Sequence, residues 1–538
     1  MQNTDPAGPQ AVGCWQPNAD DVPQEGRYAL EAALLRVDTP LYIIRRQGQS
    51  AVSNSGRAIL AYAGEDPADN SAESWPLMAW VPPLPPRALG SAHFRKAFGL
   101  QYAYVMGAMA NGITSVEMVA AAGRAGLIGF FGAAGLTPDR VEAAIDRLQK
   151  LMPDRAFGFN LIHSPHEPDL EAAVVDLYLR RGVRNISAAA YLRLTLPLIR
   201  YRLRGIHRDS QGRVVCPNRV VAKISRVEVA RQFFSPAPEK LLARLVQNSE
   251  ISEEEAALAR TVPVASDLTA EADSGGHTDN RQALTLLPTM MGLRDEIAAR
   301  FGYAEPISVG LGGGIATPEA AAAAFAMGAD YILTGTVNQA CIESGTSDLV
   351  RQMLAEARQA DVTMAPSADM FEMGVKVQVL KRGTMFALRA RKLYDHYRQY
   401  ETWEQIPPQD RQLLEQDFFQ CAFEEEWRQT RDFFAVRDPR QIEQAEKDPR
   451  HKMALVFRAY LGKSSKWANS GEASRQMDYQ IWCGPAIGAF NQWARGSFLE
   501  KPDKRECVGV ALNLLLGAAV VARPNAWLQQ GVTLPAGI

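Results

Sequence analysis

The chain has 538 residues, 47% of them hydrophobic, with 58 basic and 60 acidic side chains and a formal charge of −2. That is material for a large soluble core and for more than one domain. A near-neutral chain without a long basic run lacks the electrostatic footprint of a nucleic-acid binder.

The N-terminal stretch MQNTDPAGPQAVGCWQPNADD carries neither a basic n-region nor an apolar h-region and reads as the start of a cytoplasmic protein. Residues 1–95 are rich in Pro and Gly and end in WPLMAWVPPLPPRALG; repeated prolines forbid a regular helix or a central strand, so a leading segment with a few short strands is expected. From about residue 100 the texture changes to short apolar runs alternating with helical patterns. Eight runs read as strands: YAYVMGAM (102–109), LIGFFGA (127–133), FGFNLI (157–162), NISAAA (185–190), RVVAKI (219–224), SDLTAEA (266–272), ISVGLG (307–312) and YILTGT (331–336).

Between them, TSVEMVAAAGRAG, TPDRVEAAIDRLQKL and EPDLEAAVVDLYLRRG read as helices opened by a Thr cap or an acidic first turn. Eight β/α repeats fit an α/β protein with a closed (β/α)8 TIM barrel over 96–360, and an open doubly wound sheet is the alternative. The span 225–262 exceeds one crossover and reads as a helical insertion able to overhang the active face. Beyond 360 the alternation stops, and amphipathic patterns predict a mostly helical region over 361–538. Its tryptophans, in SKWANSGEASRQMDYQIWCGPAIGAFNQW, suit the aromatic core of a helical lid. The run from Val508 to Ala522 carries Asn513 and is shorter than the roughly 18 to 20 residues of a membrane span, so a buried helix is expected. Six scattered cysteines without a C-x-x-C pair indicate no zinc site and no disulfide framework.

The densest chemical signal is GLGGGIATPEAAAAAFAMGADYILTGT, residues 310–336. It fails the G-x-G-x-x-G spacing of a dinucleotide fold, because the third position falls on Ile315 or Thr317. LGKSS at 461–465 is half of a P-loop, with Phe457 where the upstream glycine belongs. The phosphate site of a barrel, built by the loops after its last two strands, does fit. Gly312, Gly313 and Gly314 let backbone N–H groups approach a phosphate, Thr317 and Pro318 suit an N-cap and first turn, and Gly335 with Thr336 repeats the arrangement one strand on.

Other strand ends bring Met109, Ala110, Asn111 and Asn160 to the barrel mouth, where small residues and amides suit a flat heterocycle. In EADSGGHTDNR (271–281), Gly275 and Gly276 free the backbone to present His277, with Asp273 and Asp279 near in sequence to orient the imidazole. Lys223 closes an otherwise apolar strand and must point to the open end or be paired. His163 and His166 have H-x-x-H spacing, but Pro165 and the lack of a third ligand argue against a metal. No G-x-S-x-G elbow occurs, and the EEE runs at 253–255 and 424–426 read as solvated helix faces.

The set AYVMGAMANGITS, FGFNLIHSP, EADSGGHTDNR, VGLGGGIATPEAAAAAFAMGADYILTGTVNQA and DYQIWCGPAIGAFNQW resembles the PfaD family, the trans-acting enoyl reductases of polyunsaturated fatty acid and trans-acyltransferase polyketide synthases. The barrel part is also similar to the wider group of flavin-dependent nitronate monooxygenases and bacterial flavin enoyl reductases; QIWCGPAIGAFN separates the narrow family from the wide one. The resemblance implies FMN in the barrel, NADPH as reductant and an enoyl chain delivered on an acyl carrier protein, with no metal. It puts Gly313, Gly314, Gly335 and Thr336 on the flavin phosphate and Met109, Asn111 and Asn160 near the ring or ribityl chain. Gly276, Gly312 and Lys223 are further flavin-side positions, and His277 lies beside the reacting carbons as proton donor or carbonyl polariser. A nitronate monooxygenase, a colourless phosphate-binding barrel and a non-catalytic docking component of a synthase are the alternatives. The assembly, a homodimer among the options, is left open.

Overall fold

The computed structural model describes residues 11–19, 21–60, 74–163 and 168–530. Eight parallel strands close into a barrel: β1 (Tyr104–Met106), β2 (Ile128–Phe131), β3 (Gly158–Ile162), β4 (Asn185–Ala189), β5 (Arg219–Ile224), β6 (Asp267–Glu271), β7 (Ser308–Gly312) and β8 (Ile332–Thr334). Each pairs with its neighbours in sequence, and β8 returns to β1 with Ile332 opposite Tyr104 and Thr334 opposite Met106. Every strand lies where an apolar run was expected, because strands buried on both faces read as near-continuous apolar segments. Closure excludes the open doubly wound sheet.

Some of the crossover helices start on hydroxyl caps. Ser115 accepts from Met118 N at 3.0 Å and Thr195 from Leu198 N at 3.3 Å. Two expected Thr caps differ. Thr114 instead donates to Gly107 O at 2.7 Å and accepts from Met109 N at 2.9 Å, tying down the loop after β1. Thr137 precedes its helix without a side-chain cap bond.

The span after β5 forms three helices. Val227–Phe234 buries Val229, Ala230, Phe233 and Phe234 against the β6–β7 crossover helix Ala283–Phe301 and is the ordinary crossover of β5. Glu239–Gln247 and Glu253–Ala259 pack on Leu196–Leu203 and at the short strand pair that precedes β5. They lie at the N-terminal ends of the strands, so this insertion does not overhang the mouth: its apolar faces are used on the flank.

Past residue 360 the chain is not purely helical. An antiparallel pair, β9 (Val362–Pro366) and β10 (Lys376–Leu380), returns to the barrel, and β10 pairs with Gly276–His277. Helices follow, among them α1 (Phe423–Arg437) and α2 (Pro449–Ser470). Phe371, Trp403, Phe423, Phe457 and Tyr460 lie in their core, with Trp467 and Trp482 packed against it.

The described residues of Met1–Gly90, Thr317–Gly328 and Ala511–Ile538 form a second compact unit. Its six-stranded antiparallel sheet is covered by Arg27–Leu35 and by the end of the helix Cys507–Leu528, whose Trp527 is fully buried. Thr317 caps its helix as expected, accepting from Ala320 N at 3.3 Å. At 22 residues and mean hydropathy 1.7, Cys507–Leu528 is longer than the apolar run and could cross a membrane by length and composition alone. Its buried Arg523, however, donates to the carbonyls of Leu34, Arg36 and Thr39 at 3.2, 2.9 and 2.8 Å, the pattern of a packed core helix.

Candidate functional site

A cavity of about 720 Å³ opens at the C-terminal ends of the barrel strands. Its wall includes Met109, Asn111, Asn160, Lys223, Gly276, His277, Gly312, Gly313, Gly314, Gly335 and Thr336, whereas Thr317 and Pro318, expected at the phosphate site, do not line it. Helices α1 and α2 supply a further wall.

The glycine loop after β7 is bare backbone. Gly313 has φ +92, and a Cβ there would meet the backbone of Ala272 and Asp273 at 2.7 Å. At Gly314 and Gly335 a Cβ would meet nothing within 4 Å, and the N–H groups of both find no acceptor among the described residues. Open donors with no side chain over them fit a phosphate. Thr336 is partly engaged, since its hydroxyl accepts from Gly484 N at 3.2 Å.

Asn111 adopts φ 60, which Asn tolerates better than most residues, and its Nδ2 donates to Ser465 Oγ on α2 at 3.0 Å. Asn160 is 5% exposed; its Oδ1 accepts from Ala133 N at 2.7 Å and Ala134 N at 3.1 Å. Those bonds fix the amide orientation and leave Nδ2 as the donor group on that side chain. Met109 is held by its backbone, bonded to Thr114.

His277 sits in a two-residue strand opposite Val377, with Gly276 before it at φ +77. Its Nε2 meets Asp369 Oδ1 at 3.1 Å. The carboxylates nearer in sequence are spent elsewhere: Asp273 accepts from Asn280 and Gln378 at 2.8 Å each, and Asp279 is held by Arg226 and Ser225. The expectation that Asp273 or Asp279 orients the imidazole is therefore corrected to Asp369, which belongs to the loop between β9 and β10. Only the folding of that hairpin onto Gly276–His277 brings it there, and no local pattern marked it. Burial opposes the charged imidazole, but the hydrogen bond and charge of Asp369, with Glu271 beyond, raise the His277 pKa above its ordinary value of 6.5, against the counter-effect of Lys223. For Asp369, burial works upward, yet the bond to and charge of His277 hold it below the ordinary 3.8.

Lys223 points to the open end and is also paired: Nζ lies 2.8 Å from Glu271 Oε1 on the next strand. The pair leaves a compensated charge in the wall beside His277.

The segment Cys483–Pro485 closes the site from the C-terminal region. A Cβ on Gly275 would strike the Cys483 backbone at 2.7–2.9 Å, and Gly484 bonds Thr336. The Gly275–Gly276 pair thus serves close packing as well as turn freedom. Trp482, expected as core aromatic, also lines the cavity.

His163 is buried with its Nδ1 2.9 Å from Glu171 Oε2, while His166 and Pro165 lie outside the described residues. In 253–255, Glu255 completes a capping box with Ser252. In 424–426, Glu426 departs from a solvated face: it is 3% exposed and takes Lys463 Nζ at 2.6 and 2.8 Å.

Comparison with known proteins bears on the family and the fold. The profile described as nitronate monooxygenase matches residues 93–391, and that of the [acyl-carrier-protein] S-malonyltransferase inserted helical domain matches 400–479. The chain is 47% identical to a polyunsaturated fatty acid synthase component of Thraustochytrium sp., over 81% of this chain and 30% of that protein. It is 46% identical to the polyketide biosynthesis protein PksE of Bacillus subtilis, over 81% of this chain and 56% of that one, so it spans only part of the length of these curated relatives. The crystal structure of the enoyl reductase domain of MlnA, from the macrolactin cluster of Bacillus amyloliquefaciens, superposes with a TM-score of 0.78 at 38% identity, covering 82% of this chain and 99% of that one. The chain belongs to the nitronate monooxygenase family, in the branch that holds the MlnA enoyl reductase domain.

Proposed function

We propose that this chain is an FMN-dependent, NADPH-consuming enoyl reductase. It would act in trans, in the cytoplasm, on α,β-unsaturated thioesters carried by the acyl carrier protein of a fatty acid or polyketide synthase. The observation that carries the reading is the convergence, in one cavity, of side-chain-free donors at Gly314 and Gly335 with the His277–Asp369 pair. The names of the relatives support the substrate class.

The donor set fits FMN: the open N–H groups of Gly314 and Gly335 would hold its phosphate, and Asn160 and Lys223, in the same wall, would serve its polar edges. When bound, the flavin supplies hydride transfer. The protein's share is orientation and proton handling. With Nε2–H donated to the Asp369 carboxylate, Nδ1 is the ring nitrogen without a partner among the described residues and is the one available to substrate. In the imidazolium form Nδ1–H can protonate the substrate α-carbon or polarise the thioester carbonyl, and Asp369 stabilises that form.

The test is anaerobic. NADPH should bleach the visible absorbance of the purified protein, and an enoyl-carrier substrate should restore it. Bleaching without recovery would refute the reading. The match to the nitronate monooxygenase profile favours a second reading, oxidation of a nitronate by oxygen, which a nitroalkane-dependent oxygen uptake would establish.

A further inference from the structure

Lys466 is unused by the proposed chemistry. It follows Ser465, the partner of Asn111, and lies in the cavity wall on α2. Its ammonium stands 5.6 Å from the Phe433 ring centroid, and the Arg437 guanidinium stands 5.5 Å from the same centroid. Two cations therefore share one ring. Lys463, three residues earlier, and Arg140, in the first turn of Pro138–Leu151, add two more charges that act on Lys466. Glu426 compensates Lys463. Lys466 itself has no carboxylate and no hydrogen-bond acceptor among the described residues. Lys466 is solvent-exposed, yet desolvation by its neighbours and then the field of Arg437, Lys463 and Arg140 press its pKa below the ordinary lysine value. Like charges gathered at the rim of a cavity repel, and they raise the local concentration of anions.

We propose that this rim is a phosphate subsite, with Lys466 as its direct contact, for a reagent whose reacting end lies at His277. The identity of that reagent rests on the enoyl-reductase reading; the anion site does not. Two reagents of the reading are long and carry a phosphate far from the reacting atom: a phosphopantetheine thioester and NADPH, through its 2′-phosphate.

Paired probes separate them. Calorimetry on the full chain compares 4′-phosphopantetheine with pantetheine, and 2′,5′-ADP with 5′-AMP. In one pair the added phosphate should tighten binding ~10-fold, the scale of one charge-assisted contact. That gain should vanish in Lys466→Ala, reverse in Lys466→Glu and return in Lys466→Arg. The pair that shows it names the source of the phosphate. No gain in either pair, or a gain that survives Lys466→Ala and Lys466→Glu, overturns the subsite. Because the probes are read without turnover, a chain that reduces no enoyl thioester yet keeps the Lys466-dependent gain loses the enoyl-reductase reading and keeps the subsite.

Discussion

His277 Nε2 and Asp369 Oδ1 meet at 3.1 Å across 92 residues of chain, and the contact exists because β10 pairs with Gly276–His277. It raises the imidazole pKa above 6.5 and lowers that of the carboxyl below 3.8, so each group favours the charged form of the other.

His277→Ala should keep the flavin and lower enoyl-thioester turnover by ~10²–10⁴-fold, the range for a general acid. Asp369→Asn removes the charge that favours imidazolium. Activity that needs protonated His277 falls as pH rises through its pKa, so this alkaline limb should move to lower pH in Asp369→Asn. A pH–kcat profile that does not shift would separate Asp369 from the proton chemistry.

The same shifts set a stability window. His277, raised from 6.5, contributes stability that is complete below 6.5 and lost as pH rises through its folded value. Asp369, depressed from 3.8, contributes stability present above 3.8 and lost as pH falls through its folded value. The Tm deficit of Asp369→Asn relative to the parent should therefore be largest between 3.8 and 6.5 and shrink on both sides, as thermal melts across pH would record.

The glycines should separate by what a methyl meets. Gly335 has φ −127 and open space, so Gly335→Ala should change the stability of flavin-free protein by no more than ~0.5 kcal/mol while reducing flavin occupancy. Gly313→Ala combines φ +92 with a 2.7 Å clash against the backbone of Ala272 and Asp273. It should destabilise the flavin-free fold by ~1–3 kcal/mol. Denaturant melts and flavin absorbance read the two effects separately.

Arg458 binds the Asp369 loop from α2, donating to Ala368 O at 2.9 Å and to Glu372 at 3.1 Å. Arg458→Ala should loosen Asp369 and reproduce part of the Asp369→Asn shift in the pH profile, with a fall in kcat of ~10-fold and a smaller change in KM. Lys at this position restores charge without the two-point hold and should rescue poorly.

Local sequence determined the barrel and the composition of its mouth. Each strand is an apolar run buried on both faces, and each crossover carries helical periodicity, so eight repeats are legible from spacing alone. Strand ends in such a barrel point to one face, which is why Met109, Asn160, Lys223, His277, Gly314 and Gly335 could be gathered without coordinates. Tertiary structure alone decided who partners whom. Asp369 replaces Asp273 and Asp279 at the imidazole, Glu271 compensates Lys223, and Ser465 takes Asn111. Likewise, the helices of 239–259 turn to the flank, a hairpin interrupts the helical region, and the end of the last helix inserts Trp527 into the N-terminal sheet's core. Periodicity reports which face of an element is apolar; it carries no information on which distant surface that face will cover, and a hydrogen bond between residues far apart in the chain leaves no trace in the pattern of either.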